Sequence, residues 1–162
     1  MNHSNIEKEF IELVRKNERL IYKVCSMYAS ENSPIADLYQ EVVYNLWKSF
    51  YKFRHECSET TWIYRIALNS CITEMRKELK RPQHIPILEF EEHLIEPENM
   101  TNDIREMYKL IHQLNRLERA IILLYLEEKS YQEIADITGL TLNNIAIKIK
   151  RIKEKLKKLS QN

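Results

Sequence analysis

The amino-acid sequence predicts an all-α protein: two small helical domains joined by a flexible linker, the second domain a helix-turn-helix. Three observations carry this. Gly139 is the single glycine in 162 residues, so the chain has almost no residue suited to the positive-φ turns that hairpin-rich sheets need. Prolines stand only at Pro34, Pro82, Pro86 and Pro97, leaving long stretches without a strong helix breaker. Apolar residues recur at helical spacing along most of the remainder.

Taken in order, residues 5–30 carry Ile6, Phe10, Leu13, Ile21, Val24, Cys25 and Tyr28 at amphipathic helical spacing. Asn32, Ser33 and Pro34 interrupt it; Ser33 is suited to cap and Pro34 to occupy the first position of a new helix. That helix should bury Ile35, Leu38, Val42 and Leu46. Another runs from about Glu59 to Lys80 and ends at Pro82. Residues 82–103 lose the periodicity, hold three prolines and read as a linker. Helical spacing resumes at Ile104, Tyr108, Ile111 and Leu114. The expected layout is a first domain over 1–81, a linker over 82–103 and a second domain over 104–162.

The net charge of +1 hides a polarised chain. Residues 148–158 read KIKRIKEKLKK, seven cations against one Glu, whereas Glu89, Glu91, Glu92, Glu96, Glu98, Asp103 and Glu106 face a single Arg105. Local fields of this kind, rather than the average, decide what a protein attracts. With 30% charged and 44% apolar residues, a globular rather than disordered chain is expected. Cys25, Cys57 and Cys71 are too few and too scattered for a disulfide framework. The longest apolar run, Ala120 to Leu126, falls far short of the roughly 20 residues a membrane span needs. The N-terminus lacks a signal-peptide core. A cytoplasmic protein without membrane insertion follows as an expectation.

The strongest local signal lies between Lys129 and Leu159. Ser130 is followed three residues later by Glu133, the spacing of a capping box. Ile134, Ala135 and Ile137 are the apolar positions of the short helix it starts. Gly139 then sits where a tight interhelical turn wants a left-handed residue. Thr141 is placed to cap the next helix, which buries Ile145, Ile149, Ile152, Leu156 and Leu159. The opposite face holds Asn143, Ile147, Lys150 and Glu154, flanked by Asn144 and Arg151. A helix in a DNA major groove needs this arrangement: amides and cations reach base edges while the basic end meets phosphates. A solvated, lysine-rich amphipathic hairpin is the plainer alternative, and many regulators share the pattern.

Two stretches narrow the choice. Residues 36–47 read ADLYQEVVYNLW and residues 61–69 read TWIYRIALN. On the first, Asp37, Glu41, Tyr44 and Lys48 share one helical face with Gln40 beside them. That face is equally consistent with a soluble surface on which Lys48 balances Glu41. On the second, Trp62, Tyr64 and Arg65 precede a basic end of Arg76, Lys77, Lys80 and Arg81. Rings and cations together suit single-stranded DNA, because bases stack on rings and cations follow phosphates. Trp62 itself reads as a core residue.

These motifs resemble region two of extracytoplasmic-function sigma factors, and the helix-turn-helix resembles region four of the same family, in the family's order. The resemblance implies that Asp37, Gln40 and Glu41, with Tyr44 and Trp47, bind core RNA polymerase. It implies minus-ten contacts from Phe53, Thr61, Arg65, Asn69, Arg76, Lys77 and Arg81, with the loop from Phe53 to Thr60 forming a pocket for a flipped base near Asn69. It also implies minus-thirty-five contacts from Ser130, Thr141, Asn143, Asn144, Ala146, Ile147, Lys148, Lys150 and Arg151. An anti-sigma protein is a further partner it implies. Two departures stand out: Leu114–Asn115 replaces the usual Leu-Pro before region four, and Ala146 and Ile147 replace more polar residues on the reading helix.

The competing readings are a helix-turn-helix regulator that works without polymerase, and a helical-bundle enzyme or metalloprotein. The two motifs of the first domain argue against the former. The five histidines form no Glu-x-x-His motif. His55 and Cys57 have no second pair nearby to complete a zinc site. No metal, cofactor or enzymatic activity is expected.

Overall fold

The computed structural model describes residues 3–80 and 101–162, which form eight α-helices and no strand. The chain divides into two compact units, 1–93 and 94–162. The all-α class and the two helical clusters agree with expectation. Arg81 and positions 82–100, most of the expected linker, lie outside the described residues. The last linker positions are already structured, since Thr101 precedes a helix that starts at Asn102.

The first unit contains α1 (His3–Lys16), α2 (Glu18–Tyr28), α3 (Ile35–Phe50) and α4 (Glu59–Lys80). The stretch read as one amphipathic pattern is two helices, broken at Asn17. There φ is −108° and ψ is 15°, and the Asn17 N–H is shared between the carbonyls of Leu13 and Val14 at 3.2 Å each. Asn17 is buried, and its Nδ2 donates to the Leu13 carbonyl at 2.9 Å and to Glu59 Oε1 at 3.0 Å. A buried amide must be satisfied, so this bond also fastens the α1–α2 junction to the start of α4.

The entry to α3 differs by one position from the expected cap. Pro34 occupies the cap site and Ile35 opens the helix, with no side-chain cap. Ser33 is instead drawn into a tight turn in which Ser30 and Ser33 exchange backbone hydrogen bonds at 3.0 and 3.2 Å. Ile35, Leu38, Val42 and Leu46 are buried as the spacing required, as are Ile21, Val24 and Cys25 of α2 and Ile63, Ala67 and Cys71 of α4, the two helices that pack most closely on α3. All three helices of this core thus contribute aliphatic side chains, each worth about 1.5–3 kcal/mol on full burial.

The second unit contains α5 (Asn102–His112), α6 (Arg116–Leu126), α7 (Tyr131–Thr138) and α8 (Leu142–Ser160). Asn115 explains the missing proline. Its side chain accepts from the Glu118 N–H at 2.9 Å while its own N–H donates to Glu118 Oε2 at 3.1 Å. Proline has no N–H and could not complete this reciprocal cap. Glu118 also receives Lys155 at 2.9 Å, so one carboxylate both starts α6 and grips α8. Partial burial would raise the Glu118 pKa, but the Lys155 and Asn115 bonds prevail and lower it.

The loop from α5 to α6 closes around a buried arginine. Arg119 Nη2 donates to the His112 carbonyl at 2.7 Å and to the Leu114 carbonyl at 3.3 Å, occupying acceptors that the end of α5 leaves over. His112 is itself buried. Burial, with the Arg119 charge adding to it, lowers its pKa from 6.5 to about 4. The unfolded chain therefore binds a proton that the folded chain refuses, and stability falls as pH drops from about 6.5 towards 4. The expected loss by pH 4 is on the order of 3 kcal/mol. Urea-unfolding midpoints between pH 7 and 4.5 measure it, and His112→Gln should flatten that slope. An unchanged slope in the variant would place the proton uptake elsewhere.

Candidate functional site

Each unit carries its own candidate surface. On α3, Asp37, Gln40 and Tyr44 are exposed and Glu41 is half-buried. The Glu41–Lys48 balance gives way to two other contacts. Asn45 Nδ2 donates to Glu41 Oε1 at 3.2 Å, and Lys48 Nζ lies 5.2 Å from the centre of the Tyr44 ring. Trp47 is half-buried and meets the edge of Phe10 with centroids 4.9 Å apart. It thus anchors α1 to α3 as well as bordering the exposed face.

A groove of about 370 Å³ separates α3 from α4, lined by Glu41, Asn45, Ser49, Asn69, Ser70 and Glu74 among others. Asn45 Nδ2 also donates to Ser70 Oγ at 3.0 Å, and Ser70 donates to the Ile66 carbonyl at 2.7 Å. Glu41 and the exposed Asn69 therefore line one groove, tied across its floor by Asn45. Sequence reasoning missed Asn45, since its partner Ser70 is distant in the chain and no local pattern marks the pair.

The loop between α3 and α4 is built on stacked rings. Phe53 lies over Trp62 at 4.6 Å and 22°, and His55 lies 4.4 Å from Phe53. Trp62 is half-buried rather than in the core, because the loop uses its ring as a floor. His55 takes φ 56°, which turns the chain back towards α4. Arg65 Nη1 reaches Cys57 Sγ at 3.6 Å and so lies beneath this loop. Thr61 is buried; its hydroxyl accepts from Ser58 Oγ at 2.8 Å, and its N–H donates to Ser58 Oγ at 3.2 Å. Arg76 is exposed, Lys77 pairs with Glu74 at 2.8 Å, and Arg81 lies outside the described residues.

In the second unit the turn chemistry is the one expected. Ser130 and Glu133 form a capping box at the start of α7, and Gly139 ends the helix at φ 76°. Thr141 caps α8 by accepting from the Asn144 N–H at 3.2 Å. Ser130 and Thr141 hydroxyls are therefore engaged in the helix starts that set the two helices. Ile145, Ile149 and Ile152 are buried and Leu156 and Leu159 half-buried. This leaves Asn143, Asn144, Ile147, Lys150 and Arg151 exposed along the outer face.

Ala146 and Lys148 are half-buried at its margins, and Lys148 helps to lower the Glu118 pKa. Lys153 donates to the Tyr125 hydroxyl at 2.6 Å and lies 4.2 Å from that ring's centre. Lys153 and Lys155 thus hold α8 to α6, whereas Lys157 and Lys158 extend the exposed face.

Comparison with known proteins matches both units. Residues 13–81 match the family Sigma-70 region 2, and residues 104–156 match Sigma-70, region 4. The ECF RNA polymerase sigma-E factor of Haemophilus influenzae is 29% identical, aligning 91% of this chain with 85% of its own. The Escherichia coli sigma-E factor is 26% identical, over 91% and 84%. Among solved structures, the sigma factor RpoE of Bartonella quintana, crystallised with the anti-sigma factor NepR, superposes with a TM-score of 0.79. It is 21% identical and covers 95% of this chain and 98% of that one. CnrH, solved with the cytosolic domain of CnrY, gives a TM-score of 0.68 at 18% identity, over 96% and 89%. With region 2 and region 4 matched on separate helical units in the family's order, the chain belongs to the extracytoplasmic-function sigma factors.

Proposed function

We propose that this chain binds core RNA polymerase and directs it to promoters, with the first unit docking on polymerase and opening the minus-ten element and the second holding the minus-thirty-five element. The observation that supports this best is the pairing of two complementary surfaces on one chain. The α3 face offers carboxylates and an amide to a protein partner, while the α8 face offers amides and cations to DNA. Neither surface arranges a nucleophile and base, and the protein acts by binding. Among the described residues no helix is long and apolar enough to cross a membrane, and we place the protein in the cytoplasm, where its polymerase works. An anti-sigma protein is a further expected partner, since the similar sigma factor RpoE was crystallised with the anti-sigma factor NepR. Mixing the chain with bacterial core polymerase tests the docking: the two should co-elute, and separate elution at micromolar concentration would contradict the assignment.

On α8, reading and holding should separate. Arg151 lies where base edges are within reach, and a lost base contact costs about 1–3 kcal/mol on the preferred sequence only. Lys157 lies beyond, and a lost phosphate contact weakens all sequences alike, reducing the salt slope by about one unit. Arg151→Ala should therefore lower specificity, and Lys157→Ala mainly affinity. Holoenzyme titrated onto a duplex enriched from a random pool, and onto its scrambled version, at two salt concentrations measures both. Equal losses on the two duplexes for Arg151→Ala would mean that α8 grips DNA without reading it.

A further inference from the structure

The exposed face of α3 changes character along its length. Asp37 and Glu41 give it acidity in the first half, but beyond Tyr44 the same face runs through Lys48 and Tyr51 to Lys52, with Arg54 in the following loop. No acidic residue interrupts positions 42–55. Tyr51 is 73% exposed and Tyr44 56%, unusual for rings that could have packed inward. Each carries a lysine: Lys48 Nζ lies 5.2 Å from the Tyr44 centroid and Lys52 Nζ 5.5 Å from that of Tyr51. Lys48, Lys52 and Arg54 are exposed as well.

We propose that this ridge is a contact for single-stranded DNA, with Tyr51 as a stacking platform and Lys48, Lys52 and Arg54 as phosphate partners. The proposal rests on the reading of the chain as a factor that opens DNA, and extends it from the loop, where Arg54 stands, to Lys48, Tyr51 and Lys52, outside both the loop and the Asn69 groove.

Three arguments favour a nucleic-acid strand over a protein occupant. A polyanion matches the sign of the ridge, whereas the acidic first half of α3 selects a basic protein surface. An exposed ring with a cation beside it gives an unpaired base a π-face and its phosphate a counter-charge, and stacking of this kind tolerates any sequence. The ridge also leads directly into the ring-built loop at Phe53, so a strand that places one base there passes along the end of α3. Tyr51 stands seven positions beyond Tyr44, a helical rise of roughly 10 Å, so a strand on the Tyr51 end of the ridge clears the Tyr44 end that is assigned to polymerase.

The test titrates the full chain, alone and joined to core polymerase, into a fluorescein-labelled oligonucleotide of twelve thymidines and follows anisotropy. Tyr51→Ala should weaken binding about 5- to 150-fold, the range expected for one lost base stack, while Tyr51→Phe stays within about twofold. Lys52→Ala should lower the logarithmic salt slope by about 0.7, one phosphate contact on a single strand. Circular dichroism verifies that these exposed substitutions leave the helices intact. Wild-type affinity in both Tyr51→Ala and Lys52→Ala would overturn the proposal, as would an unmodified chain that fails to bind the oligonucleotide. Loss of polymerase binding by Tyr51→Ala, with oligonucleotide affinity unchanged, would overturn it in favour of a protein contact. A chain that binds the oligonucleotide through Tyr51 but never joins polymerase would support the ridge while contradicting the wider function.

Discussion

Replacing both Asp37 and Glu41 with lysine should reduce affinity for core RNA polymerase thirty-fold or more. Interfacial charge pairs that lose a partner cost about 2–5 kcal/mol, and reversal adds repulsion to that loss. The helix should survive. Asp37 is exposed, and although Glu41 loses the Asn45 amide, that amide keeps its bond to Ser70. Lysine is also a good helix former. Co-elution with core polymerase, alongside a urea-unfolding midpoint, separates docking from stability. Undiminished polymerase affinity in the double variant would remove α3 from the interface. Equal losses in binding and stability would make the pair structural.

The second large effect is expected at Asn69. Its amide is exposed at the lip of the α3–α4 groove, and an amide presents both a donor and an acceptor to a flipped base. Asn69→Ala should lower open-complex formation by about 1–3 kcal/mol at the base it reads and leave the other bases equivalent there. Polymerase affinity should be unchanged, which distinguishes this variant from the α3 reversal. Permanganate reactivity of unpaired thymines on promoters differing at one minus-ten position gives the readout. Normal opening with the parental base preference would make Asn69 a solvated surface residue.

Features set by chemistry within a few residues were legible in the sequence. Ser130 with Glu133, Gly139 and Thr141 each perform the expected job, because caps and left-handed turns depend on local groups. The buried row Ile35, Leu38, Val42 and Leu46 was equally legible, since a three- and four-residue rhythm allows one inward face. The remainder depended on distant partners. Asn17 breaks the first helical stretch while holding Glu59, across 42 residues. Lys153 and Lys155, expected to face phosphates or solvent, find Tyr125 and Glu118 across 28 and 37 residues. Trp62 has a core-like composition but serves the loop above it, because Phe53 stacks there. The site residues divide in the same way: Asn143, Lys150 and Arg151 could be placed on an exposed face from spacing alone. The buried setting of Thr61, by contrast, depends on how Ser58 closes the start of α4.

Holding α8 to α6 through Lys153 and Lys155 has a consequence for DNA affinity. The basic run contains seven cations, but these two neutralise or contact partners within the unit, so fewer remain for phosphate. The salt slope on duplex DNA should therefore be smaller than the basic run suggests, and the exposed Lys150, Arg151, Lys157 and Lys158 should account for most of the basic run's contribution.

The central claim is that this chain gives core polymerase its promoter choice. The measurement that tests it most directly is transcription in vitro from a pool of bacterial promoter fragments, using purified core polymerase with and without the full chain. The chain should add transcripts with defined start sites from a minority of fragments, and Asn69→Ala and Arg151→Ala should each diminish them. Transcripts that are identical with and without the chain, from a preparation in which the two proteins co-elute, would contradict the account.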